Sequence, residues 1–160
     1  MAVRIVRLGT ARVPGEGVRL GTVRRPPRGV RKSEFAKRDY YDVWFPTLAP
    51  SLVTMKLGLA ASTPADFARF AKKYQAEMAK PDASRAIDVL AALSHAADFS
   101  VGCYCEDEKR CHRSLLRRLL LARGAKVAAA ASASSATSRR PSRRRRPSAW
   151  RARSRSGGRS

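Results

Sequence analysis

Acidic side chains are scarce in this chain: 12 Asp and Glu stand against 34 Lys and Arg, for a formal net charge of +22. The imbalance is uneven, because residues 127–160 carry ten Arg and no acid, which leaves the first 126 residues at +12. Such charge favours nonspecific association with nucleic acid or an anionic surface and says nothing about specificity. No run of roughly 18 apolar residues occurs, so no membrane-spanning helix is expected. The opening Met1-Ala2-Val3-Arg4 leads into a strand-like pattern with no export signal, which predicts a reduced, cytoplasmic setting. Cysteine is limited to three and histidine to two, an odd thiol count that does not suggest a disulfide framework. Residues 127–160 are almost wholly Ala, Ser, Arg, Pro and Gly, with one large aromatic residue, Trp150. That composition cannot offset chain entropy and predicts a disordered basic tail, with Val127 to Ala133 compatible with a short helical continuation.

The body, residues 1–126, is long enough for a single core. Val3 to Leu8 reads as a strand near the centre of a sheet, and Val18 to Val23 as a second extended segment. A basic, proline-stiffened loop follows at Arg24-Arg25-Pro26-Pro27-Arg28-Gly29-Val30-Arg31-Lys32. The aromatic stretch Tyr40 to Ser51 is expected to pack in the core or to form one wall of a pocket. Thr63-Pro64-Ala65-Asp66 carries helix-start signals, with Phe67, Phe70, Ala71, Tyr74 and Met78 on one face. Pro81 breaks that helix, and a further helix begins at Asp82 or Ser84. Phe99 to Tyr104 is a buried strand, and Leu115, Leu116, Leu119 and Leu120 mark a last helix ending at Gly124. The order predicts an α/β fold, a single three-layer-like domain on a small, mostly parallel sheet. Sites in such sheets gather at the carboxyl ends of the strands.

All three cysteines and one histidine fall within ten positions, in Cys103-Tyr104-Cys105-Glu106-Asp107-Glu108-Lys109-Arg110-Cys111-His112. Thiols and imidazole are the side chains most used as nucleophiles, bases and soft-metal ligands. Three readings stand side by side. In the first, Cys105 or Cys111 is a nucleophile and His112 a base or proton donor, more readily for Cys105 than for its neighbour Cys111, since adjacent helical residues do not face each other. In the second, Cys103, Cys105, Cys111 and His112 hold zinc, although two cysteines two apart on an extended strand are too splayed for one ion unless a turn intervenes. In the third, the cysteines are small buried hydrophobes. A cysteine-phosphatase cradle is excluded: six residues after Cys105 stands Cys111, and six after Cys103 stands Lys109, where an Arg is needed. The loop between also carries three acids.

Several segments together resemble the bacterial domain-of-unknown-function family numbered 488. They are the Arg-Gly loop Arg24 to Val30, the Trp-x-x-x-x-Ala-Pro-Ser segment from Trp44 to Ser51, the Phe-x-x-x-Tyr-x-x-Glu helix of Phe70, Tyr74 and Glu77, and the Cys-x-Cys-x5-Cys-His-Arg segment from Cys103 to Arg113. The resemblance covers about residues 1–125 and implies a compact cytoplasmic α/β domain without an assigned activity. From the residues themselves we expect Arg25, Arg28 and Arg31 to bind an anion, with Arg113, Tyr41 and Trp44 also meeting the ligand and Cys105, Cys111 and His112 carrying any chemistry. The leading expectation is a thiol-dependent enzyme acting on a small anionic or nucleotide-like substrate. The rivals are a module that binds nucleotide or single-stranded nucleic acid through charge and stacking on Trp44 and Tyr41, and a zinc-stabilised domain.

Overall fold

The computed structural model describes residues 1–129. Four strands, β1 (Val3–Arg7), β2 (Val18–Gly21), β3 (Val43–Trp44) and β4 (Phe99–Cys103), form one sheet in the order β1-β4-β2-β3. Every pairing is parallel, with Val101 level with Ile5 on one side and with Leu20 on the other. The helices are α1 (Leu52–Ala60), α2 (Pro64–Met78), α3 (Pro81–Leu93) and α4 (His112–Ala122). The α/β architecture is therefore as the sequence implies. Of the expected disordered tail, residues 127–160, residues 130–160 lie outside the described residues.

The position of β1 is a correction. It lies at the edge, not near the centre, and β4 takes the central place. The composition explains this: β4 reads Phe-Ser-Val-Gly-Cys and is buried throughout, whereas β1 carries Arg4 and Arg7. Gly102 is part of the reason β4 can lie inside, since a Cβ there would stand 2.5 Å from Leu8 Cδ2. The outer edge of β1 is covered by the segment after α4. Val3 N–H donates to Lys126 O at 2.9 Å, and Ala128 N–H donates to Val3 O at 2.9 Å. Val127 thus bridges to the sheet and does not continue a helix.

One face of the sheet carries the main core. Val3, Phe99 and Val101 meet Phe70, Tyr74 and Met78 of α2, Ile87 and Leu90 of α3, and Leu115, Leu116 and Leu120 of α4. The opposite face is covered by loop structure: Leu8, Tyr41 and Phe35 pack there, and Arg19 is fully buried. Its guanidinium is held by both Glu16 carboxylate oxygens, at 2.6 and 2.8 Å, and Ser100 Oγ donates to the same carboxylate at 2.7 Å. A buried charge is tolerable only when matched and hydrogen-bonded in this way.

The break between α2 and α3 falls at Pro81 as expected, and α3 begins at Pro81 itself, one residue before Asp82, in the first turn where its missing N–H costs nothing. The helix α1 was not legible, because its sequence Leu-Val-Thr-Met-Lys-Leu-Gly-Leu-Ala has apolar residues on all sides and so no periodic stripe. Tertiary hydrogen bonds fix its start. Ser51 caps it, and Glu77 on α2 accepts from Ser51 N–H at 2.9 Å and from Thr54 Oγ1 at 2.7 Å. Tyr74 donates to Leu48 O at 2.8 Å. The Trp44–Ser51 segment and the Phe70, Tyr74, Glu77 helix are therefore two halves of one contact.

Candidate functional site

The carboxyl ends of β2 and β4 open into a cavity of about 490 Å³. Its wall on the β2 side is the basic loop, with Val23, Arg24, Arg25, Pro26, Pro27 and Arg28. On the β4 side stand Cys103, Tyr104, Cys105, Arg110, Cys111 and His112. Helices α1 and α2 contribute Met55, Gly58, Leu59 and Phe70. Gly58 is needed for this wall: a Cβ there would stand 2.9 Å from the Phe70 ring. Arg24 is fixed by bonds to Pro50 O and Ala49 O, at 3.0 and 2.8 Å. Among the described residues, no carboxylate pairs with Arg24, Arg25, Arg28 or Arg110.

The cysteines differ sharply in environment. Cys103 and Cys111 are buried and Cys105 is exposed, all three free thiols. The chain leaves the strand register after Cys103, and Cys105 Sγ comes to 3.7 Å from Cys103 Sγ. The splay expected of an extended strand is thus removed. Cys111 is not helical but caps α4, with Arg113 N–H directed at its sulfur at 3.5 Å. Its extended backbone turns the thiol towards its neighbour, and Cys111 Sγ lies 3.7 Å from His112 Nδ1. The expectation that these two adjacent side chains do not meet is corrected accordingly. His112 is buried and its Nε2 lies 2.8 Å from Thr22 O. A carbonyl only accepts, so Nε2 carries a proton, and in the neutral ring Nδ1 presents a lone pair.

The three thiols divide their protons unequally. Hydrogen bonding with Cys105, then with Cys111, and burial push Cys103 far up. The contact with Cys103, then Cys111, and the positive charge of Arg113 hold Cys105 down, to about 3, against the effect of burial. Cys111 is lowered, chiefly by its contact with Cys103 and further by His112. Ionisation is thus favoured at Cys105 and Cys111, and of these Cys105 is the accessible sulfur.

The family model DUF488-N3a, described as the active DUF488-N3 subclade, matches residues 3–124. The chain belongs to this family. No curated protein and no solved structure matches it. The DUF488-N3a match ends just beyond α4, so it takes in the whole cavity and the whole cysteine cluster.

Of the residues expected at the site of this DUF488-N3a domain, Arg25, Arg28, Cys105, Cys111 and His112 line the cavity together, and Cys103 joins them. Arg31, Arg113, Tyr41 and Trp44 do not. Arg31 is exposed at the start of a short 3-10 turn. Trp44 is 47% exposed on the edge strand, with its indole N–H donating to Val23 O at 2.8 Å. Tyr41 is 3% exposed in the second core cluster and its hydroxyl has no hydrogen-bond partner, so its ring offers no platform for stacking. Arg113 is 3% exposed behind the cluster, donating to Cys105 O at 2.6 Å, with its Nε unpartnered. Arg24, Arg110 and Tyr104 were missed. Arg24 was visible in the Arg-Arg-Pro-Pro run, but nothing local distinguished it from its neighbours. The apolar wall from α1 could not be found without finding α1. Cys103, Cys111 and His112 have donor atoms all within 4.8 Å of one another and could hold a metal ion. Among the described residues no helix is long and apolar enough to cross a membrane.

Proposed function

We propose that this protein is a thiol-dependent enzyme acting on a small anionic or nucleotide-like substrate, with Cys105 as the attacking sulfur. One observation carries the reading: the single exposed thiol lines a cavity rimmed by arginines that have no carboxylate partners among the described residues. Arg25 and Arg28 bind the anionic group, the wall of Met55, Leu59 and Phe70 takes the apolar body, and Cys105 forms a bond to an electrophilic carbon as the leaving group departs with the bonding electrons. The favoured ionisation of Cys105 and the word "active" in the family's description support it. Iodoacetate and iodoacetamide test it, since they differ mainly in charge. Cys105 is expected to react faster with the anionic reagent, and added phosphate or mononucleotide to slow that reaction. Equal rates at all three cysteines, unaffected by anions, would remove the proposal.

A second reading, a zinc-stabilised domain, is favoured by the grouping of Cys103, Cys111 and His112. Its test is a drop in melting temperature on adding a chelator under reducing conditions.

A further inference from the structure

We infer that Cys103, Cys105, Cys111 and His112 form one tetrahedral site for a thiophilic divalent cation of the zinc class, in which Cys105 is the cavity-facing ligand and Arg113 the buried counter-charge. The inference deepens the zinc reading above and rests on the enzyme reading only in taking Cys105 as the reacting sulfur.

The distances come first. With metal–sulfur bonds of about 2.3 Å and metal–nitrogen bonds of about 2.0–2.1 Å, a tetrahedral site has sulfur–sulfur edges of about 3.8 Å and sulfur–nitrogen edges of about 3.6 Å. Cys103 to Cys105 is 3.7 Å and Cys111 to His112 Nδ1 is 3.7 Å. In a tetrahedral site these would be opposite edges; Cys103, Cys111 and His112 are the part already gathered, and Cys105 reaches it through its contact with Cys103. The Cys103 sulfur lies within 4.8 Å of the Cys111 and His112 donors. The end of β4 and the turn after it supply one pair, and the N-cap and first residue of α4 supply the other.

The imidazole is already oriented for the role. A metal-binding histidine ordinarily donates its other ring N–H to a carbonyl or carboxylate, which fixes the ring and its tautomer. The Nε2–H bond of His112 to Thr22 O does this and leaves Nδ1 for the ion.

Charge is the third observation. Three thiolates and a neutral imidazole around a dication carry one net negative charge. Arg113 is a buried cation that pairs with no carboxylate among the described residues. The acids of the adjoining loop are engaged elsewhere: Glu106 pairs with Arg7, Glu108 with Arg117, and Asp107 accepts from Lys109 N–H. An unpaired guanidinium in the interior is costly, and a tris-thiolate centre beside Cys105 O supplies the missing negative charge. The ion also gives the cavity its chemistry. A metal-bound Cys105 stays a thiolate without a neighbouring base. On reaction, the sulfur–carbon bond forms, the leaving group takes the bonding pair, and the weaker thioether ligand opens the fourth position towards the cavity.

The test is cobalt(II) titration of the full chain, reduced and free of a histidine tag, read by absorption. One equivalent should give visible bands typical of a tetrahedral site and a near-ultraviolet thiolate charge-transfer band. Cys105→Ser should still bind one cobalt but lose about a third of the charge-transfer intensity, because that band scales with the number of thiolates. Arg113→Met should weaken binding by about 10–100-fold, as loss of an outer partner does. Failure of the folded wild-type chain to bind cobalt would overturn the inference, as would an unchanged band in Cys105→Ser. The two proposals separate cleanly. Selective reaction of Cys105 with iodoacetate but no cobalt binding sinks the metal site alone. A three-thiolate cobalt spectrum without that selectivity sinks the enzyme reading alone.

Discussion

The ring of His112 reaches across from the first turn of α4 to donate its Nε2 proton to the carbonyl of Thr22, 2.8 Å away. The bond joins the last helix to the end of β2 and sets the tautomer of the only buried histidine among the described residues. Replacing His112 with Ala leaves that carbonyl without its donor and opens space beside Tyr74, whose ring centroid is 5.5 Å off. With chelator present, so that metal binding does not contribute, His112→Ala should lose about 1–3 kcal/mol in chemical denaturation. Long-range proton–nitrogen spectra of the wild type should show the proton on Nε2. A proton on Nδ1 would contradict the structure.

Glu77 joins α2 to the start of α1 and makes that contact sensitive to acid. Burial opposes its charge, but hydrogen bonds from Ser51 and Thr54, with Lys80 nearby, hold its carboxyl below the ordinary 4.5. A folded-state value below the unfolded one contributes stability that is complete above the unfolded value and lost as pH falls through the folded one. Glu77→Gln should therefore cost about 1 kcal/mol at pH 7, a modest figure because the group still reaches solvent. The gap between wild type and variant should begin to narrow as pH drops below about 4.5. A gap independent of pH would show that the charge is not involved.

Gly15 and Gly17 have nearly the same backbone, with φ of +72° and +75°, and should tolerate alanine very differently. A Cβ on Gly15 meets nothing within 4 Å, whereas one on Gly17 would lie 1.8 Å from Asp98 O. Gly15→Ala should cost about 1 kcal/mol for its backbone alone. Gly17→Ala should cost more than about 3 kcal/mol, or leave no folded protein, because a backbone carbonyl cannot step aside. Equal melting temperatures for the two variants would refute this.

The cavity rim should act through charge. Arg25→Gln with Arg28→Gln should abolish most of the preference of Cys105 for iodoacetate over iodoacetamide, and 1 M salt should erode that preference in the wild type. Arg31→Gln, outside the cavity wall, should leave it intact. Mass-spectrometric alkylation rates decide.

The edge of β1 gives a test of the domain boundary. A chain ending at Lys126 loses the Ala128 to Val3 hydrogen bond and uncovers part of the strand edge, whereas one ending at Ala129 keeps both. The shorter chain should melt lower. If the two melt together, the bridge contributes nothing to stability.

Much of this was legible because local rules and tertiary structure agreed. The capping signals at Thr63 and Asp66, the apolar face from Phe67 to Met78 and the clustered thiols are written in short segments. The elements that were missed depend on partners far along the chain. Helix α1 has no stripe of its own and is held by Glu77. The edge position of β1 follows from competition with β4 for the centre. The meeting of Cys111 with His112 depends on Cys111 being an extended N-cap residue, where the helical spacing rule does not apply. The sequence suggested Arg113 as a ligand contact, whereas its burial without a carboxylate is a property of the fold alone.

All four strands run the same way, which gives the molecule two unlike poles. The cysteines and the arginine loop lie at one, while Met1 lies at the other, its amine 3.8 Å from Asp98. An anchor or fluorophore attached at Met1 would therefore present the cavity outward to solution, and an immobilised chain would keep its reactive end open.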